Sequence, residues 1–295
     1  MNNQGILLES GTNELEIILF SVGSGLYGIN VMKVREIIQP SEVTAVPHAH
    51  QNIDGMIRLR EEIIPVINLS KVIGTPVSEN TNEKMIVAEL NQRKMAFRVD
   101  SVSRIHRISW EQIEKPQETG SGMQNITTGI VKMEHAMVLL LDYEKIVYDA
   151  MPEADFFKSN AKAGEKPERS EKKLLIAEDS PTLRSLLENT LRDAGYTDLL
   201  LTEDGREAFD VLENSSHVDL VITDIEMPGM DGHHLTKKIK EHSEYRALPV
   251  CIFSSLITGD LRHKGDRVGA DAQISKPEIN TLVSELDRLL LHPVS

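Results

Sequence analysis

Five short apolar runs constrain this chain more than anything else in it. They occupy residues 174–177, 199–201, 220–223, 250–253 and 272–274 and alternate with segments of helical periodicity. Uninterrupted apolar strands are buried on both faces, and strands separated by helices run parallel. The region from residue 173 is therefore expected to be a doubly wound α/β sheet of five βα units. The helix after the first run is the best marked. Ser180 caps it, Pro181 takes its first position, Leu183, Leu186, Leu187 and Leu191 form one stripe, and Gly195 stops it.

The polar residues that close these runs converge by the same logic. In an open parallel sheet the ligand crevice lies outside the carboxyl ends of the strands, where the strand order reverses. Glu178 and Asp179 follow the first run, Asp224 closes the third, Ser254 and Ser255 follow the fourth, and Lys276 follows the fifth. In the flavodoxin-like order 2-1-3-4-5 the first and third strands are neighbours, so three carboxylates share a pocket. Such crowding calls for a cation, and oxygen ligands suit Mg²⁺. A lysine and a hydroxyl opposite suit an incoming phosphoryl group. Each residue alone reads as surface; the signal is the set at successive strand ends.

The first 150 residues read differently. Residues 15–22 and 26–29 form a strand pair around Gly23-Ser24-Gly25. Asn30 then caps a helix in which Val31, Val34, Ile37 and Ile38 recur before Pro40. Two further hairpins are expected, 55–59 with 63–67 and 85–90 with 94–99. Residues 55–73 also match 129–147 without a gap, with Arg58 meeting Lys132, Asn68 meeting Asp142 as a helix cap, and Lys71 meeting Lys145. Two related β units follow, although any hairpin followed by a helical turn has some of this pattern. The copies differ most in the turn, where Arg60-Glu61-Glu62 faces Glu134-His135-Ala136. Arg60 is thus either a contact residue peculiar to one copy or a solvated loop charge. His48, His50 and His106 lack partners at metal-ligand spacing and read as surface.

Between the halves, residues 152–172 are charged and poor in core formers, the composition of a flexible tether. The net charge of −14 and pI near 5.2 argue against nucleic acid as a partner. The amino terminus lacks the pattern of a signal peptide and no apolar run reaches the roughly 20 residues of a membrane span, so a cytoplasmic protein without membrane insertion is expected. Cys251, the single cysteine, lies in an apolar run and reads as a small hydrophobe.

The residues from Phe20 through Ile38, the run Arg58-Leu59-Arg60-Glu61-Glu62-Ile63-Ile64-Pro65-Val66-Ile67-Asn68-Leu69, and the stretch Leu139 to Asp142 resemble a CheW-type chemotaxis coupling domain. The resemblance covers about residues 12–151 and implies an all-β fold of two small five-stranded barrels. It implies Arg60 as a contact for chemoreceptor or kinase, although Arg58 and Glu61 depart from the family's Asn-Leu-Arg-Gly. Residues 173–295 resemble a response-regulator receiver domain. That resemblance implies Asp224 as phospho-acceptor, and Mg²⁺ held by Glu178, Asp179, Asp224 and the Glu226 backbone carbonyl. It further implies phosphoryl sensing by Ser254 and Lys276. Gln273 stands where the family has an aromatic switch residue, and the Glu226 side chain is expected to tune the lifetime of the phosphoryl group.

The combination implies a chemotaxis adaptor joining methyl-accepting chemoreceptors to the histidine kinase CheA, associated with receptor arrays and regulated by phosphorylation, that turns over no metabolite. No DNA-binding or catalytic output region is expected after residue 295. Two rival classes remain. A hydrolase of the haloacid-dehalogenase type wants Asp-x-Asp-x-Thr, which Asp224-Ile225-Glu226-Met227-Pro228 fits poorly. A transcriptional regulator wants a basic helix-turn-helix, where this chain has β hairpins.

Overall fold

The computed structural model describes residues 14–76, 82–116, 126–134, 136–151, 166–214, 217–257 and 259–291. The expected boundary at residue 12, His135, residues 152–165 of the expected tether and residues 292–295 lie outside the described residues.

The amino-terminal half is β-rich. Its elements are β1 (Glu14–Val22), β2 (Gly25–Asn30), β3 (Val34–Ile38), β4 (Ile53–Leu59), β5 (Glu62–Asn68), α1 (Leu69–Ile73), β6 (Lys84–Leu90), β7 (Arg93–Val99), β8 (Ser101–Ser109), β9 (Ile113–Glu114), β10 (Thr127–Lys132), β11 (Met137–Leu141) and α2 (Tyr143–Ala150). They form one sheet of order β8-β1-β2-β11-β10-β9 and a second of order β3-β6-β7-β5-β4. The first has one strand more than the five the resemblance implies, because two-residue β9 adds to β10.

The ungapped repeat folds twice into the same unit. β4 and β5 form an antiparallel hairpin leading into α1, and β10 and β11 form one leading into α2. Each second strand lies parallel to a strand from elsewhere, β5 along β7 and β11 along β2. The caps repeat too: Asn68 Oδ1 accepts from Lys71 N at 3.3 Å, and Asp142 Oδ1 from Lys145 N at 2.8 Å. Each satisfies an amide that a helix start leaves unpaired. Between the units, Phe97 meets Tyr143 edge-on at 5.2 Å, and the Tyr143 hydroxyl donates to the Gly28 carbonyl at 3.0 Å.

The helix expected over residues 31–38 is a finding against the sequence reading. Asn30 does cap a helical turn, accepting from Met32 N at 2.9 Å, but the turn is 3₁₀ and ends at Lys33. Residues Val34–Ile38 continue as β3, paired with β6. Three of those five residues are β-branched, and β6 offers a partner strand; pairing outweighs a spacing that fits either element.

The carboxyl-terminal half contains β12 (Lys173–Ala177), α3 (Pro181–Asp193), β13 (Asp198–Thr202), α4 (Gly205–Asn214), β14 (Leu220–Thr223), α5 (Gly232–Glu241), β15 (Val250–Ser254), α6 (Gly259–Val268), β16 (Ala272–Ser275) and α7 (Ile279–Leu290). The five strands are parallel in the order β13-β12-β14-β15-β16, which is the expected 2-1-3-4-5. β14 and β15 are buried along their whole length, as strands covered by helices on both faces must be. Cys251 is wholly buried, and burial raises its thiol pKa.

The end of the expected tether is docked. Residues Pro167–Glu171 form a 3₁₀ turn, and the buried Arg169 guanidinium grips Asp287 of α7 through Nε at 2.9 Å and Nη2 at 2.8 Å. Lys166 and the Tyr196 hydroxyl bind the same carboxylate. Burial works against the Asp287 charge, but these donors outweigh it and hold the group down at about 2. The folded pKa thus lies below the unfolded value near 4, so the contribution to stability is complete above about pH 4 and is lost as pH falls through about 2. We expect Arg169→Ala to lower the unfolding free energy at pH 7 by about 2–3 kcal/mol in urea titrations. The gap to wild type should narrow below pH 4; a gap independent of pH would refute this account.

Candidate functional site

The strand order brings the polar strand ends together. β12 and β14 are neighbours, and Asp224 N donates to the Ala177 carbonyl at 2.9 Å, which sets Asp224 beside Glu178 and Asp179. One carboxylate oxygen from each of the three lies within 4.8 Å of the others. Lys276, after β16, reaches across β15 and is itself buried, donating to Glu178 Oε2 at 2.8 Å and Asp224 Oδ2 at 3.1 Å. Asp224 Oδ1 accepts from Ile225 N at 2.6 Å. Ser254 closes β15 fully buried, and Leu256 N donates to its hydroxyl at 3.3 Å. The start of α5 presses against the acid from behind: a Cβ on Gly232 would fall 1.8 Å from the Asp224 carbonyl oxygen, so only glycine fits without moving that strand end.

The charges are poorly balanced by protein alone. Burial drives Glu178 up to about 8, with Lys276 pulling against this and Asp224 adding to it. Burial likewise lifts Asp179 well above the carboxylate range, reinforced by Glu178 and Asp224. For Lys276, burial opposes the charge, but Asp224, Glu178 and Glu144 prevail and raise its pKa. One carboxylate oxygen, Glu178 Oε1, is buried with no hydrogen-bond partner. An orphaned buried carboxylate oxygen beside two more carboxylates is the donor set of a hard divalent cation, so these residues fit one.

The pocket is shared between the halves of the chain. Glu226, two residues past Asp224, turns to the amino-terminal half, where Asn30 Nδ2 donates to Oε1 at 2.6 Å and Lys33 Nζ pairs with Oε2 at 2.7 Å. Lys33 also pairs with Glu144 at 2.8 Å, and the same Glu144 oxygen accepts from the Ser255 hydroxyl at 2.9 Å. Burial opposes the Lys33 charge, yet Glu144 and Glu226 hold its pKa well above the ordinary lysine value. Gly229 N donates to the Trp110 carbonyl at 3.2 Å, and Lys115 pairs with Asp204 at 2.8 Å. The cavity left between the halves is about 50 Å³.

Residues 16–151 match the CheW-like domain family and residues 174–287 the response regulator receiver domain family. The chemotaxis protein CheV3 of Helicobacter pylori is 35% identical over 280 residues, covering 90% of this chain and 89% of that protein. The chain belongs to the CheV family. Its halves are a CheW-like coupling domain and a response-regulator receiver, an arrangement of chemotaxis signalling; neither the hydrolase nor the transcriptional reading is favoured. The chemotaxis protein CheW of Thermotoga maritima is 29% identical over 140 residues, covering 48% of this chain and 92% of that protein. Among solved structures, the scaffolding protein TtCheW from Thermoanaerobacter tengcongensis covers 43% of this chain and 88% of its own, with 29% identity and a TM-score of 0.41. No helix among the described residues is long and apolar enough to cross a membrane.

In this CheV-family chain, Glu178, Asp179, Asp224, Ser254 and Lys276 gather as the strand ends anticipated. Arg60 lies apart from them. It occupies the two-residue turn between β4 and β5 at φ 56°, its side chain is 79% exposed, and it pairs with Glu36 at 3.0 Å. Gln273 is tied to α6, its amide donating to the Arg262 carbonyl at 2.9 Å and to Asp266 at 2.7 Å. The Glu226 side chain, expected to tune the lifetime of the phosphoryl group, is engaged by Asn30 and Lys33. The residues the sequence did not reveal are Lys33 and Glu144. Glu144 had a faint signal, since the repeat places an acid there where the other copy has Ser70.

Proposed function

We propose that this protein is an adaptor that joins methyl-accepting chemoreceptors to the histidine kinase CheA at receptor arrays, and that phosphorylation of Asp224 regulates the coupling. The observation that carries it is the acid trio Glu178, Asp179 and Asp224, two of whose members are bridged by the buried Lys276, on a receiver fused to a coupling domain. The chain divides by role into a coupling domain over 12–151, a tether over 152–172 and a receiver over 173–295.

The Asp224 carboxylate attacks the phosphorus of a phosphohistidine; the P–O bond forms as the P–N bond breaks, and the imidazole nitrogen keeps the electron pair and takes up a proton. Mg²⁺ held by Glu178, Asp179, Asp224 and the Glu226 backbone carbonyl would draw charge from the phosphoryl oxygens. Lys276 already rests on Asp224 and follows the new charge; the Ser254 hydroxyl, at the end of the adjoining strand, hydrogen-bonds a phosphoryl oxygen. Arg60, exposed on a turn free of the fold's demands, meets a protein partner.

Reconstitution of receptor and kinase tests this. Wild type should join the assembly and take up label from the phosphorylated kinase, and Arg60→Glu should lower its binding about tenfold, a reversed charge at an arginine contact being among the costlier changes at an interface. A chain that neither joins the assembly nor changes kinase activity would overturn the adaptor reading.

A further inference from the structure

The contacts between the halves fall on the one face of the receiver that a phosphodonor needs. Asp224 opens into the cavity between the domains, whose volume of about 50 Å³ admits a few waters and no side chain of another protein. Its far wall is the coupling domain: Asn30 and Lys33 at the end of β2, and Asp142 and Glu144 at the start of α2. Lys33 sits at the centre of the contact, its side chain only 8% exposed, with one carboxylate from each domain on it. We propose that this edge of the coupling domain is the receiver's own intramolecular partner, latched by Lys33 over the acceptor pocket, so that the closed form and the kinase-bound or phosphorylated form exclude one another. The inference rests on the reading of Asp224 as phospho-acceptor.

The exclusion has two physical sources. The first is steric: a kinase domain presenting phosphohistidine must come within bonding distance of Asp224, and the coupling domain already fills the approach. The second is electrostatic. On closing, Asp142 and Glu144 add two carboxylates and Lys33 one cation to a pocket that already has three carboxylates, a net gain of one negative charge, and Asp142 adds to the charge felt by Asp179. Phosphorylation replaces the single charge of the Asp224 carboxylate with nearly two on the phosphoryl group, about one further negative charge, and at low effective dielectric such repulsion is strong. Closure therefore opposes phosphorylation, and by linkage phosphorylation opposes closure by the same factor. The latch is specific rather than merely sticky: Lys33 withdrawn leaves Glu144 and Glu226 facing each other without a cation.

The Gly229 amide, which donates across the interface to the Trp110 carbonyl, reports closure without any phosphorylation. We would follow its hydrogen exchange, together with label uptake from phosphorylated histidine kinase and from phosphoramidate, in full-length wild type, Lys33→Ala and Glu144→Ala, each checked by thermal melting. Lys33→Ala should raise Gly229 exchange and the initial rate of uptake from the kinase about tenfold or more, Glu144→Ala somewhat less because Lys33 keeps Glu226. Uptake from the small donor should change less than uptake from the kinase. Should Lys33→Ala not fold, Glu144→Ala carries the test. Unchanged exchange and unchanged kinase-driven uptake in the folded variants would overturn the latch. Absence of label from every chain would overturn the acceptor reading alone, and Gly229 exchange would then decide the latch by itself.

Discussion

An Asp224→Asn chain is expected to take up no phosphoryl label from the kinase, a loss of at least about a thousandfold, while folding as well as wild type or better. An amide in place of the carboxylate keeps the volume and can still accept from Ile225 N, but it is no nucleophile toward phosphorus. It also removes one of three crowded carboxyl groups. Asp224 adds to the elevation of Glu178 and Asp179, so both should titrate lower in the variant and Lys276 should remain on Glu178. Urea titration should show equal or higher stability, and a phosphopeptide map should be blank. Label on another residue of the variant would sink the assignment of Asp224.

Lys276→Met carries the second large effect, and here stability and activity fall together. The ammonium is 1% exposed and bridges Glu178 and Asp224, so its removal leaves two buried carboxylates without their cation. Breaking a buried pair in this way costs about 3–5 kcal/mol. Glu178 holds its proton up to about 8 with Lys276 beside it and to still higher pH without it, so below about 8 it is neutral in both folded chains and leaves the gap unchanged; above about 8 only the variant must keep the proton against the solvent. The variant should therefore lie a near-constant interval below wild type from about pH 5 to pH 7 and fall further from it above about pH 8, with label uptake down about a hundredfold or more at neutral pH. A melting difference that shrinks as pH rises would contradict this charge balance.

Much of the site was legible because its residues obey a topological rule. Five apolar runs with helices between them determine a parallel sheet, and a parallel sheet gathers whatever follows its strands; Glu178, Asp179, Asp224, Ser254 and Lys276 needed no distant information. The paired caps Asn68 and Asp142 were legible for a similar reason, since an ungapped repeat must place equivalent side chains equivalently. The segment after Asn30 was not, because Val31, Val34, Ile37 and Ile38 fit a helix and a half-buried strand alike, and only β6 beside them decides. Lys33 carries no local signal, the repeat marks Glu144 only faintly, and the strand end marks Ser255 without its partner; what joins the three is the docking of one half of the chain on the other. The contacts of the Glu226 side chain with Asn30 and Lys33 were hidden on the same ground.

The Lys33 contact has both of its sides on one polypeptide. Met151 and the Arg169 anchor on α7 are joined by fewer than twenty residues, so separated halves stay within some tens of ångströms of each other. Dilution or overproduction of the protein leaves that local encounter unchanged. A cell making twice as much would hold twice as many receivers with the same fraction open, whereas a kinase competing for that face would feel its own concentration. Such a sensor reads the abundance of its partner while staying indifferent to its own.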